Sequence, residues 1–248
     1  MAVRKTTPKP KAKPTKSTST EKKGIFGQFM RFFWKAFMWF NIISLFFVVL
    51  YKFIPVPFTP LMAIRYFENS ADGKDIETKH DWVPLEDISK NLQKAVIASE
   101  DGRFFEHSGF DFKAIQKAAV GNFKGRKLKG GSTITQQTAK NVFLWQGRSY
   151  IRKGLEAYYT FLIELIWGKE RILEVYLNSI EMGDGIYGAQ AATQHWYNRD
   201  CKSLTRMQAA GIAAILPNPR RFKPNGSAYI SNKQAKIARY ILMTKLKY

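Results

Sequence analysis

The chain has 248 residues, enough for one or two compact domains with a real core. Forty Lys and Arg against 19 Asp and Glu give a formal charge of +21, which narrows the partners to nucleic acid, an anionic membrane surface or a phosphate-bearing substrate. The single cysteine, Cys201, excludes an intramolecular disulfide, and the dispersed His80, His107 and His195 argue against structural zinc.

The charge is uneven. The first 35 residues hold ten Lys or Arg and one acid, Glu21, a local charge of +9 that leaves +12 for the rest. Residues 1–23 are dominated by Lys, Pro, Thr and Ser and contain no aromatic residue. Such a segment buries too little apolar surface to offset its ordering entropy, so residues 1–31 are predicted to be a disordered basic tail. Next comes "FFWKAFMWFNIISLFFVVLYKFI", residues 32–54, whose two charges, Lys35 and Lys52, lie near its ends. At about 1.5 Å per residue this run crosses a hydrocarbon core of roughly 30 Å, and it reads as a transmembrane helix. A buried core helix is the bland alternative. A cleaved signal peptide fits less well, because "IPVPF" follows where small residues would be needed. With basic residues ahead of the span, the N-terminus is expected in the cytoplasm and the rest outside the inner membrane. Nucleic acid is then an unsuitable partner.

Residues 55–88 give weak signals. "IPVPFTP" should be extended, because each proline restricts itself and its predecessor, and the stretch reads as a membrane-proximal linker. From residue 89 helical patterns follow one another. "SKNLQKAVIAS" places Leu92, Ala95, Val96 and Ser99 on one face, and "DFKAIQKAAVGNF" opens on a capping Asp111. "STITQQTAKNVFL" opens on Ser132 as its cap. "SYIRKGLEAYYTFLIELI" puts Ile151, Leu155, Tyr158, Leu162 and Leu165 or Ile166 on one stripe. "KERILEVYLN" and "GIYGAQAATQHWY" come next. "TRMQAAGIAAIL" carries a capping box, Thr205 with Gln208, and stops at "PNP". A last helix covers "YISNKQAKIARYILMTKLKY". No alternating strand run and no internal repeat is visible, so residues 89–248 are predicted to be one mainly α domain.

Three stretches could carry chemistry. In "SEDGRFFEHSG", residues 99–109, Glu100 ends an apolar helix. A carboxylate shielded by rings such as Phe104 has its pKa raised toward neutrality, as a general acid or base needs, with Asp101 and His107 as orienting groups. The plain alternative is a solvated loop. In "GGSTITQQTAKN", residues 130–141, a glycine-rich entry precedes a helix start carrying Thr133 and Gln137, with Lys140 one turn beyond. Such a start offers N–H groups and hydroxyls to anions or sugars, although the phosphate-loop spacing is absent and a polar surface helix reads equally well. In "RSYIRKGLE", Arg148, Arg152 and Glu156 share one helical face with Lys153 beside them. The set either grips an anionic leaving group, with Glu156 aligning the cations, or is an ordinary surface ion pair. Two separated carboxylates, a polar helix start and a cationic stripe together suit glycosyl transfer from a phosphorylated donor.

Five blocks, in order over roughly residues 85–225, resemble those of the monofunctional biosynthetic peptidoglycan glycosyltransferases, the family 51 fold shared with class A penicillin-binding proteins. They are "EDGRFFEHSGFD", "GGSTITQQTAKN", "RKGLEAYYTFLIE", "KERILEVYLN" and "AAGIAAILPNPRRFKP". The resemblance implies a lysozyme-like helical fold with head and jaw lobes, and no penicillin-binding domain fits in the remainder. It implies inverting polymerisation of lipid II into β-1,4-linked glycan, with membrane lipids and cell-wall synthesis or division proteins as further partners. Glu100 would be the general base toward the acceptor 4-hydroxyl. Glu156, with Lys140, Arg148, Arg152 and Lys153, would hold the donor diphosphate, with Mg2+ or Mn2+ as the implied cation and no organic cofactor. Thr133 and Gln137 would line the site, and Asp101, Phe104 and His107 would shape the loop around Glu100. The family pattern has a charged residue near Gly211, so the helix "AAGIAAIL" is expected to be looser here. A lysozyme-like hydrolase is the competing reading, but it leaves the four cations without a task. A non-enzymatic membrane scaffold would tolerate replacement of both carboxylates.

Overall fold

The structure is a computed structural model that describes residues 25–73, 76–123, 131–147 and 149–248. Most of the tail expected to be disordered lies outside these residues. Helix α1 runs from Ile25 to Phe53, so it begins seven residues before the apolar run. The reason is local: "IFGQFMR" has no proline, and Phe26, Phe29 and Met30 continue the apolar helical surface. Phe26–Phe53 is long and apolar enough to cross a membrane, with a mean hydropathy of 1.8 and 11% of its most apolar stretch buried. A core helix of a soluble domain would be mostly enclosed.

The chain divides into two compact units, residues 1–44 and 45–248. The second contains the last turns of α1. There Trp167 Nε1 donates to the Val48 carbonyl at 2.6 Å, and Arg171 Nη2 donates to that of Tyr51 at 2.8 Å. Arg171 Nη2 also bonds the Ile54 carbonyl. A helix end leaves its last carbonyls without intrahelical donors, and Arg171 supplies them.

Helix α2, Pro60–Ala71, occupies the stretch expected to be an extended linker. Pro60 sits at the first helical turn, where its missing N–H costs nothing, and Thr59 caps the helix by accepting from the Met62 N–H at 3.3 Å. Pro60 therefore starts this helix, whereas Pro55 and Pro57 lie in the non-helical stretch before it. The remaining helices are α3 (Lys90–Glu100), α4 (Phe112–Phe123), α5 (Ile134–Phe143), α6 (Tyr150–Ile166), α7 (Gly168–Ser179), α8 (Ala189–Tyr197), α9 (Arg206–Ile215) and α10 (Ala228–Ile241). Three short strands also form, β1 (Lys79–His80), β2 (Glu181–Gly183) and β3 (Ile186–Tyr187), in the order β1-β3-β2. Strands of two or three residues are too short to show alternation in sequence.

Packing sorts the helices into two groups: α3, α9 and α10 pack on one another, as do α5, α6 and α7. The capping box Thr205/Gln208 forms at α9. At α5 the cap is Thr133, one residue after Ser132, because Thr133 pairs reciprocally with Gln136. In α6 the inward face is Glu156, Tyr159, Thr160 and Ile163, whereas Ile151 and Leu165 are exposed. Leu155, Tyr158, Leu162 and Ile166 of the stripe read from the sequence flank this face, partly buried against the core, while its centre is shared with a carboxylate and a hydroxyl turned inward. Helix α9 is tight where it was expected to be loose. A Cβ at Gly211 would come 2.4 Å from the Tyr197 hydroxyl and 3.1 Å from Gln234 Nε2.

Gly188 precedes α8 with φ +82°, and a Cβ there would meet the Asn178 carbonyl oxygen at 2.7 Å. Asn178 is fully buried and bonds Val83 through both ends of its amide. Gly188→Ala is therefore expected to destabilise the fold by about 1–3 kcal/mol, seen as a lower midpoint in thermal denaturation.

Candidate active site

Glu100 is the last residue of α3, and its carboxylate turns toward α5. Gln137 Nε2 donates to Glu100 Oε2 at 3.1 Å. Burial pushes the Glu100 carboxyl above the usual carboxylate range. The Gln137 hydrogen bond and the positive charge of Lys233 on α10 hold it back, and neighbouring Asp101 adds to the rise. Phe104 is fully buried in the core, with Lys169 Nζ 4.6 Å over its ring. Polar groups reach Glu100 from α5, through Gln137, and from α10, through Lys233.

Asp101 caps α3 and ties it to α5. Its Oδ1 is 2.9 Å from His107 Nε2, and its Oδ2 accepts from the Ile134 N–H at 3.1 Å, at the positive end of α5. Arg103 Nη1 donates to Asp111 Oδ1 at 2.8 Å, and the same oxygen accepts from Ala114 N–H to cap α4. The loop that follows Glu100 is thus fixed at both ends. Thr133 is engaged within the fold. Its hydroxyl donates to the Gly109 carbonyl at 2.6 Å and caps α5, and the residue is buried. The side chains of Asp101, Phe104, His107 and Thr133 are all enclosed, and those of Asp101, His107 and Thr133 hold the loop through hydrogen bonds.

On α6, Glu156 is almost completely buried and accepts from Arg152 Nη1 at 2.7 Å and from Lys153 Nζ. Arg152 also donates through Nε to the Gly147 carbonyl at 2.8 Å, which fixes its guanidinium. Lys140 on α5 belongs to the same cluster. Burial lowers its pKa, Glu156 opposes that, and Arg152, Lys153 and Arg65 push it further down. Lys140, Arg152 and Lys153 face one carboxylate, leaving two positive charges uncompensated for an anion. Arg148 lies outside the described residues.

A divalent cation expected at Glu156 does not find its donors there. The one carboxylate is engaged by two side-chain cations, and a third lies close by. Among the described residues the group with ligand atoms drawn within 4.8 Å is Asp101, His107 and Asp111. That group is bonded internally and to Arg103.

Three groups escaped the sequence reading. Lys233 faces Glu100, Tyr176 bonds Gln137, and Arg65 of α2 adds to the field at Lys140. Each comes from an element distant in sequence; Tyr176 lies in the block "KERILEVYLN", but nothing local ties it to Glu100, and Lys233 and Arg65 stand in no block.

The transglycosylase family matches residues 69–246, a span that takes in both carboxylates and every described cation of the cluster except Arg65. The chain belongs to this family. It is 55% identical over 204 residues to the biosynthetic peptidoglycan transglycosylase of Bdellovibrio bacteriovorus, covering 82% of each chain. It is 53% identical over 193 residues to that of Caulobacter vibrioides, covering 77% of this chain and 82% of the relative. The Bacteroides thetaiotaomicron protein of the same name is 56% identical over 195 residues, covering 77% and 78%. The mainly helical architecture is that of a lysozyme-like transglycosylase domain behind one apolar N-terminal helix.

Proposed function

We propose that the protein is a membrane-anchored peptidoglycan glycosyltransferase that polymerises lipid II into β-1,4-linked strands and releases the polyprenyl diphosphate. The observation that carries this reading is one compact unit holding a shielded carboxylate, Glu100, and a cation cluster aligned by Glu156. Glu100 accepts the proton of the acceptor 4-hydroxyl as its oxygen bonds the donor C1. The C1–O bond to the diphosphate breaks on the opposite face, which inverts the configuration. The electron pair goes to the diphosphate, where Lys140, Arg152 and Lys153, with Arg148 from the sequence motif, take up the charge. A diphosphate is already a competent leaving group, so fixed positive charge serves it better than a proton donor.

The anchor is the α1 span, with the basic N-terminal segment on the cytoplasmic side of the inner membrane and the catalytic unit outside. A basic domain beside the bilayer concentrates an anionic lipid by roughly a kcal/mol per well-placed cation. The hydrolytic alternative is disfavoured because cutting a finished glycan gives the cluster no anion to hold. The test uses full-length protein in detergent. Labelled lipid II should grow into polymer, and purified sacculi should release no fragments. Fragments from sacculi without polymer from lipid II would reverse the assignment, and a parallel incubation with chelator reads the metal requirement.

A further inference from the structure

Gln137 bridges two buried groups on different helices. Its Nε2 donates to Glu100 Oε2 at 3.1 Å, and its Oε1 accepts from the Tyr176 hydroxyl at 3.2 Å. Tyr176 lies on α7, 76 residues along the chain from the carboxylate, and is fully buried. Among the described residues its hydroxyl has no other hydrogen-bond partner. An ionised carboxylate only accepts, so the amide must present Nε2 to it. Were the amide turned over, Oε1 would face the carboxylate and Nε2 the phenol oxygen, and the phenol proton would have no acceptor. The carboxylate would lose its donor, and the phenol, left only to accept from Nε2, would carry an unsatisfied buried proton. We propose that Tyr176 is a positioning residue for the base: its hydroxyl fixes the Gln137 amide, and the amide in turn holds and polarises the Glu100 carboxylate.

Burial and the charge of Glu100 both raise the Tyr176 phenol well above its ordinary value, so it remains a donor throughout the working pH range. The groups that face Glu100 are Gln137 from α5, Lys233 from α10 and Asp101 at the end of its own helix, with Tyr176 of α7 behind Gln137. Gln137 and Lys233 favour the ionised carboxylate, and Asp101 opposes it. Loosening Gln137 removes a stabilising donor, so the pKa of Glu100 rises and the acid limb of the rate profile moves to higher pH. A residue that only packed the core would leave that limb in place.

The inference rests on the reading of Glu100 as base, and the experiment separates the two. Full-length wild-type protein, Tyr176→Phe, Gln137→Met and the double variant are assayed for lipid II polymerisation across pH. Phe keeps the buried ring and removes only the hydroxyl. Tyr176→Phe is expected to lower kcat about tenfold with little change in KM, and to move the acid limb upward. In the Gln137→Met background the same change should cost nothing further, because the path from tyrosine to carboxylate is already cut. An unmoved acid limb, or a full additional loss in the double variant, overturns the proposal while wild-type activity leaves the function intact. Inactive wild-type protein would instead refute the function. If thermal denaturation shows that Tyr176→Phe does not fold, Gln137→Met alone must show the upward shift, and its absence overturns the proposal.

Discussion

Glu100→Gln is expected to reduce chain growth by about 10²–10⁴-fold while the protein stays folded. Glutamine keeps the shape of the side chain at the end of α3 and can still accept from Gln137 Nε2, but it cannot take a proton from a sugar hydroxyl. The stability effect has a definite sign. Burial raises the native pKa of Glu100 above its unfolded value, so the native state favours the protonated acid. The ionised side chain therefore costs stability once pH rises past the native pKa, and that cost disappears below the ordinary carboxylate range. At neutral pH Glu100→Gln should melt at the same temperature as wild type or higher, and the difference should close in acid. The same shift puts the acid limb of wild-type activity above the ordinary carboxylate range. Undiminished polymer from a folded Glu100→Gln protein would remove Glu100 from the reaction.

Glu156→Ala should fail in a different way, through both stability and charge. Its carboxylate is nearly inaccessible, and Arg152, bonded to it at 2.7 Å, is only 11% exposed. Deleting one partner of a buried pair leaves the other uncompensated, at a cost of about 3 kcal/mol; Lys153, half-exposed, can relax into solvent and adds little. The melting temperature should fall accordingly. Glu156 is also the group that supports the charge on Lys140 against burial and three neighbouring cations. Without it the Lys140 pKa drops further, so the alkaline limb of activity should move to lower pH. A Glu156→Ala protein that melts like wild type, with its alkaline limb in place, would show that the carboxylate does not organise the cluster.

The helical part of the fold was readable because its signals are local. Thr205 with Gln208 and the proline after α9 mark helix ends with chemistry confined to a few residues, as does Ser149 at the start of α6. Helix α2 was missed because Pro60 serves equally an extended chain or a first turn, and only tertiary packing decides. The centre of the inward face of α6 was missed because apolar periodicity assumes that carboxylates point outward, and Glu156 does not. At the site, Glu100, Lys140, Arg152, Lys153 and Glu156 stand in short motifs and could be named. Tyr176 and Lys233 reach the same carboxylate from α7 and α10, and no spacing rule connects residues so far apart. Thr133 was readable as polar, but its commitment to the Gly109 carbonyl is a long-range contact that sequence does not display.

The hydrogen bonds from Trp167 and Arg171 to Val48 and Tyr51 make the last turns of α1 part of the folded enzyme. Arg171 stands on α7, which also carries Tyr176, and Trp167 lies immediately before it. Residues 45–54 are therefore held to the domain through their own backbone carbonyls, so the chain enters the fold at a fixed point and not through a slack linker.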